Sequence, residues 1–247
     1  MPRTGAYTLP QSSYSRYPWK TAITATVFWI GEAPGENNPT PNDKSSWDKD
    51  WQTNFGGLDN PDPAARSANY VPTSFVPKLN PFYIALPYND VAEGGRTKAS
   101  AYAKIPWFKQ RFTKAGHTVL KGQWLAIRYG NKVCYAQWED VGPFETDDVE
   151  YVFGSARPQN TKNNAAGIDI SPAVRDYLGL RSGGKCDWRF VDVGEIPDGP
   201  WRWYGKNNHF IRTQNTEKQL LQARLEELRR MRDEYFRREG AGAYRRQ

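Results

Sequence analysis

The sequence predicts a mainly β domain that carries a long loop insertion and is followed by a separate α-helix. Three observations predict it. Segments of β-branched and aromatic residues alternate with clusters of Gly, Pro, Asn and Asp as far as about residue 193. The chain holds 10 Trp, 14 Tyr and 11 Phe, a large aromatic surface to bury, beside 18 Pro and 21 Gly that imply long ordered loops. The final stretch alone changes to a helical repeat of Leu among Arg and Glu. A length of 247 residues suits one large domain.

Residues 1–20 read as a polar, proline-containing arm, and residues 21–210 as the domain. Thr21–Ile30 is a strand, closed by Gly31-Glu32. From Ala33 to Pro77 the chain makes an excursion too long to be a simple connector. Its Trp47, Trp51 and Phe55 predict that it folds back as one wall of a cleft, and Ser46 is placed to cap a short helical turn. Pro81–Leu86 is the next strand, ended by Pro87-Tyr-Asn-Asp90. Ala101–Phe112 reads as short helical pieces broken at Pro106. Trp124–Tyr129 and Lys132–Trp138 form a hairpin across Gly130-Asn131, and Glu139–Phe144 ends in a Gly-Pro turn. After a polar loop to Ala166 come a short strand, Gly167–Ile170, and a helix with Ser171 as N-cap, Pro172 at its first position and Gly179 as its stop. Cys186–Val193 is the last core strand. In the tail, Thr216–Gln219 fits a capping box that opens a helix over 216–239. Leu221, Leu225, Leu228 and Tyr235 make one stripe, which Arg232 interrupts. The expectation is that this helix packs back on the body, with a partner helix in a homo-oligomer as the alternative.

Net charge is +7, and Thr216–Gln247 holds nine Lys/Arg against six Asp/Glu, a net +3. No Lys/Arg cluster precedes the tail, so nucleic acid is not an expected partner. No run of 18 apolar residues occurs, so no transmembrane helix is expected. The start lacks an apolar signal core. A secreted or periplasmic protein shorn of its signal is the reading carried forward, with a cytoplasmic one left open. Cys134 and Cys186 both fall in predicted strands, where a disulfide and two free thiols are equally compatible. With His117 and His209 as the only histidines and no nucleotide-binding glycine motif, neither a metal nor another cofactor is expected.

The order strand, Asp140-Val-Gly-Pro-Phe144, loop, Gly167-Ile-Asp-Ile-Ser171, short helix, strand resembles the domain of rare lipoprotein A-like proteins. The close likeness covers about 40 residues. It implies a six-stranded double-psi β-barrel with the insertion at about 33–77, a fold shared more broadly by expansins, family 45 endoglucanases and the lytic transglycosylase A group. Asp169 matches the Asp of the family's Ile-Asp-Leu-Ser segment, and resembles the general acid of the endoglucanases. Where those enzymes have His and Phe, this chain has Gly167 and Ile168. Asp140 matches the Asp before the family's turn. Glu32 stands loosely where the endoglucanases put a second carboxylate.

The residues give a reading of their own. Asp169, between two Ile in a strand, points opposite to them; if the strand is covered on both faces, desolvation raises its pKa. An acid that holds its proton near neutral pH can pass it to a glycosidic oxygen. Equally, an Asp just ahead of Ser-Pro can bind backbone N–H groups at the helix start. Two carboxylates roughly 6.5–9.5 Å apart would suit an inverting hydrolase, whereas one acid alone would suit a lytic transglycosylase. Trp29, Trp47, Trp51 and Trp138 are candidate stacking platforms, with Tyr88 and Asp90 as further ligand contacts. The expected function is binding, with cleavage as its extension, of a β-1,4-linked polysaccharide such as peptidoglycan outside the cytoplasm. The alternative is a non-catalytic interaction barrel that associates through its C-terminal helix.

Overall fold

A computed structural model describes residues 16–35, 38 and 40–243, with side chains as far as 237. Six strands close into a barrel: β1 Lys20–Val27, β2 Tyr83–Leu86, β3 Trp124–Tyr129, β4 Lys132–Val141, β5 Ala166–Ile170 and β6 Lys185–Phe190. Around the barrel the order is β1-β5-β2-β4-β3-β6, closing back on β1. The pairs β1/β5 and β2/β4 are parallel, and all the others are antiparallel. Exchanging β1, β2, β3 for β4, β5, β6 reproduces every pairing with its direction. The two halves of the chain therefore interlock by one rule, each half supplying a strand to both parallel pairs.

Alternation explains why these segments close. Ile84, Leu86, Ile168, Ile170, Leu125, Ile127, Trp138 and Trp188 turn inward and are buried in the main core. Trp107, Phe153 and Phe190 fill the same core with edge and stacked ring contacts. Opposite residues on β2, Tyr83 and Ala85, belong to a second cluster outside the barrel, with Phe28, Ile30, Trp51 and Phe55. That outer cluster is where the long insertion lies down on the wall.

A buried charge network pins the insertion. Arg66 Nη1 lies 2.6 Å from Asp59 Oδ1 and its Nε lies 2.9 Å from Asp176 Oδ2. The Tyr83 hydroxyl donates to Asp59 Oδ2 at 2.8 Å, which ties the network to β2 itself. Between the strands run short helices: α1 Trp51–Phe55, α2 Ala99–Lys104, α3 Phe108–Arg111, α4 Val149–Val152 and α5 Pro172–Leu178. In α5 the Ser171 hydroxyl accepts from Val174 N, and Gly179 ends the helix in the left-handed region.

Several expectations are corrected. No helical turn begins at Ser46; the helix of the insertion starts at Trp51, and the Ser46 amide is used elsewhere. The strand expected to end at Trp138 continues to Val141. Cys134 and Cys186 are buried free thiols, because β3 runs between their strands: Ile127 pairs with Cys134 on one side and with Trp188 on the other. Two strand steps of about 4.8 Å each exceed the reach of a disulfide. The arm falls mostly outside the described residues, but Tyr17 is buried against Trp107 and Phe190. The C-terminal helix α6 spans His209–Ala243, seven residues earlier than the capping box implied. Asn208 takes the capping role, its Oδ1 accepting from Phe210 N, while the Thr216 hydroxyl bonds back to Arg212 O inside the helix. Beyond its first turn, where Phe210 packs against Trp124, α6 does not pack on the barrel, since every residue from 212 to 237 is exposed.

Candidate functional site

Strand register sets four residues side by side across the outer face of the barrel. Thr26 on β1 pairs with Asp169 on β5, Asp169 with Ala85 on β2, and Ala85 with Asp140 on β4. Ile168 and Ile170 face the core, so Asp169 faces out. For Asp140, alternation alone gives the wrong side, because Trp138 two residues earlier is a core residue. The register supplies the correction: Ile84 pairs with Trp138 but Ala85 with Asp140, so Glu139 is an extra residue that re-aims Asp140 outward. A second irregularity lies at Gly167, which is skipped between the pairs Thr24–Ala166 and Ala25–Ile168. A Cβ there would come within 2.5 Å of Pro158 and 2.7 Å of the Tyr151 hydroxyl, so no histidine fits where the endoglucanases carry one.

The row forms the floor of a cleft of about 1010 Å³. Glu32 and the Asn42–Ser46 stretch of the insertion line one side, and Val141–Thr146 with Lys162–Asn164 line the other. Gly142 lets the second wall approach, since a Cβ on it would stand 3.3 Å from Asp169 Oδ2, and its φ of +155° suits glycine. The two halves of the sequence motif thus meet at Asp169.

Asp169 is densely surrounded yet still open to the cleft by a narrow face. Burial pushes its carboxyl up to about 7; the hydrogen bond from the Thr26 hydroxyl opposes this, and the charges of Asp140 and Glu32 add to it. The Ser171 hydroxyl, not Asp169, caps α5. Asp140 is pushed by burial to about 6, against two backbone N–H groups, Ser46 and Val141, that each donate to its Oδ1 at 2.7 Å. Burial also raises Glu32, which accepts from Asn42 Nδ2 at 2.8 Å. No Arg or Lys forms a salt bridge with Asp140 or Asp169 among the described residues. No cluster of three metal-ligating side chains was found among the described residues either.

The aromatic candidates separate sharply. Trp51 and Trp138 are 1% and 0% exposed, with no ring face open to a ligand. Tyr88 and Asp90 are buried too; the Tyr88 hydroxyl meets Ser100 Oγ at 2.9 Å, and Asp90 Oδ2 accepts from Val119 N at 2.8 Å. Trp47 is half-buried, its edge against Trp138 and its indole N–H donated to Asn89. Trp29 is half-buried in a shallow neighbouring depression that joins the cleft at Val27 and Ser182. Of the two rings that line the cleft, Phe28 is buried and Phe144 is 39% exposed, with the Lys162 ammonium 5.3 Å from its centroid. Sequence reading treated Phe144 only as the end of a turn. It also passed over Thr26, which no motif marks, and Glu139. Burial pushes Glu139 up to about 7; one carboxylate oxygen accepts from Asn207 and the other has no hydrogen-bond partner.

No protein family, no curated protein and no solved structure gives a significant match to this chain. The chain is a closed six-stranded mixed β-barrel with an acidic cleft on its outer wall.

Proposed function

We propose that this chain is a double-psi β-barrel of the rare lipoprotein A-like kind that binds a β-1,4-linked glycan such as peptidoglycan and cleaves it by carboxylate acid catalysis. The interlocked halves, with two parallel pairs related by a three-strand exchange, support the topology. One observation carries the activity: the row Thr26–Asp169–Ala85–Asp140 at the floor of a cleft wide enough for sugar rings.

Environment divides the two aspartates. Asp169 keeps its proton near neutral pH and gives it to the glycosidic oxygen as the C–O bond breaks. Asp140, lower and held by two N–H groups, is the ionised partner. It takes a proton from the water that attacks the anomeric carbon. Ala85 separates them by two strand steps, about 9.6 Å between Cα atoms; an inverting scheme needs roughly 6.5–9.5 Å between the carboxyl groups themselves. The Ala85 methyl group leaves the gap open. Phe144 offers a ring face to a sugar at the wall. On this reading the protein works in the cell envelope or outside the cell, where such a polymer lies.

The test is incubation with purified peptidoglycan, its glycan strands and cellulose, with mass analysis of the products. Asp169→Asn should lower turnover by about 100- to 10,000-fold while leaving binding in place. Reducing ends of inverted configuration fit the two-carboxylate scheme, and anhydro ends would replace it with transglycosylation by Asp169 alone. Neither turnover nor retention on any of these polymers would end the glycan reading. Phe144→Ala should weaken retention by a few-fold, the worth of one aromatic contact of about 1 kcal/mol.

A further inference from the structure

The helix α6 leaves the barrel at His209 and runs for 35 residues, about 52 Å at 1.5 Å per residue. Between Leu220 and Phe236 it carries seven large apolar side chains, each 45–66% exposed. At 100° per residue all seven fall within an arc of about 160°. The opposite arc is polar, with Glu226, Glu227, Asp233 and Glu234 against Arg229, Arg230 and Arg237. A lone helix with so wide an apolar face requires a partner surface. Acidic and basic side chains alternate around the polar arc, whereas a helix lying on a membrane surface carries a polar face dominated by Lys and Arg.

We infer that the partner is the same helix of a second copy, docked antiparallel. The apolar stripe has a heptad frame: Lys218, Leu221, Leu225, Leu228, Arg232 and Tyr235 lie at steps of three and four along one seam. In a parallel, in-register pair, Lys218 and Arg232 each face their own copy, and Arg224 on the flank meets Arg229 of the partner subunit. All three contacts set like charges together. Reversing one helix, with Leu225 opposite Leu228 of the partner subunit, removes them. Arg232 then lies over Leu221 of the partner subunit and within a turn of its Glu217, so that the aliphatic stem covers the Leu while the guanidinium reaches the carboxylate. Lys218 meets Tyr235 of the partner subunit, a cation against an aromatic face. Each favourable contact occurs twice by the two-fold symmetry. The arrangement sets the two barrels at opposite ends of the pair, with both clefts free.

Sedimentation and light scattering of the full chain should show a monomer–dimer equilibrium over a roughly hundred-fold concentration range. Leu225→Glu with Leu228→Glu should give a monomer whose barrel unfolds as before, since both side chains are exposed in the single chain. Orientation is read by cross-linking, for which the buried native cysteines do not compete. L221C mixed with R232C should form an intermolecular disulfide, and L221C alone should not. A chain that stays monomeric at every concentration, or that is monomeric in solution and retained only on anionic phosphatidylserine vesicles, overturns the proposal. Ready cross-linking of L221C to itself overturns the antiparallel register.

Discussion

Two groups of carboxylates lie on the same outer wall of the barrel under the same insertion, and they are treated differently. Asp59 and Asp176 close around Arg66, and Tyr83 of β2 completes the knot. Two residues along β2, Ala85 lies between Asp169 and Asp140, which have a hydroxyl and backbone amides for company but no guanidinium. Burial raises both Asp59 and Asp169. At Asp59 the Arg66 charge acts against that rise, whereas at Asp169 the neighbouring charges are negative and act with it. Matched burial makes a fastening. Unmatched burial stores a proton near neutral pH at the floor of an open cleft, at a cost in stability.

The largest test breaks the fastening. Arg66→Met leaves Asp59 fully buried without its cation and should cost about 3–5 kcal/mol, read from denaturant midpoints. Adding Asp59→Asn should restore much of the loss, because the penalty lies in the unpaired charge. A single variant as stable as the parent would mean that the network does not hold the insertion. At the other group the sign reverses. Asp169 has a folded pKa of about 7 against an ordinary 3.8, so the native state binds its proton more tightly than the unfolded chain does. The stability this gives is fully present below pH about 4 and is lost as pH rises through about 7. Asp140, at about 6, and Glu139, at about 7, act in the same direction. The parent should therefore gain thermal stability between pH 7.5 and pH 5. Asp169→Asn should be more stable than the parent at pH 7.5 and should flatten the slope. A parent that loses stability over that interval would contradict the asymmetry drawn between the two groups.

Legibility in the sequence follows the range of the interactions. The helix α5 could be read residue by residue, since Ser171, Pro172 and Gly179 act within a few positions of themselves. Asp140 and Asp169 could be singled out by the motif and by the Ile–Asp–Ile alternation. Their adjacency could not, because it depends on one extra residue at Glu139, and alternation read through that bulge puts Asp140 inside the barrel. Alternation also cannot say which face of an aromatic-rich strand is the core, and so the sequence alone offers Trp138 as a platform and does not mark Phe144 at the cleft. The capping box at Thr216 satisfied the local rule, yet the Asn208 cap had already started the helix seven residues upstream. The network that fastens the insertion to β2 was the least accessible feature. Arg66, Asp59 and Tyr83 have no meaning until residues distant in the chain are packed together.

The smallest effect concerns Thr26, the one residue that tempers Asp169. Its hydroxyl donates to Asp169 Oδ1 and so favours the ionised carboxylate, partly offsetting the burial that raises it. Thr26→Val keeps the shape of the side chain and removes the donor. A hydrogen bond to a charged group is worth about 1.5 kcal/mol, or roughly one pKa unit. The carboxyl should then titrate higher still, and the alkaline limb of any pH–rate profile should move up with it. Carbon-detected NMR titration of the Asp side chains, with Asp169→Asn for assignment, reads the shift whether or not a substrate is in hand. An unchanged titration point would mean that the Thr26 hydroxyl favours neither form, and a lowered one that it serves the protonated acid. In that case Asp169 would be held back from giving up its proton, and Asp140 would be the better candidate for the acid.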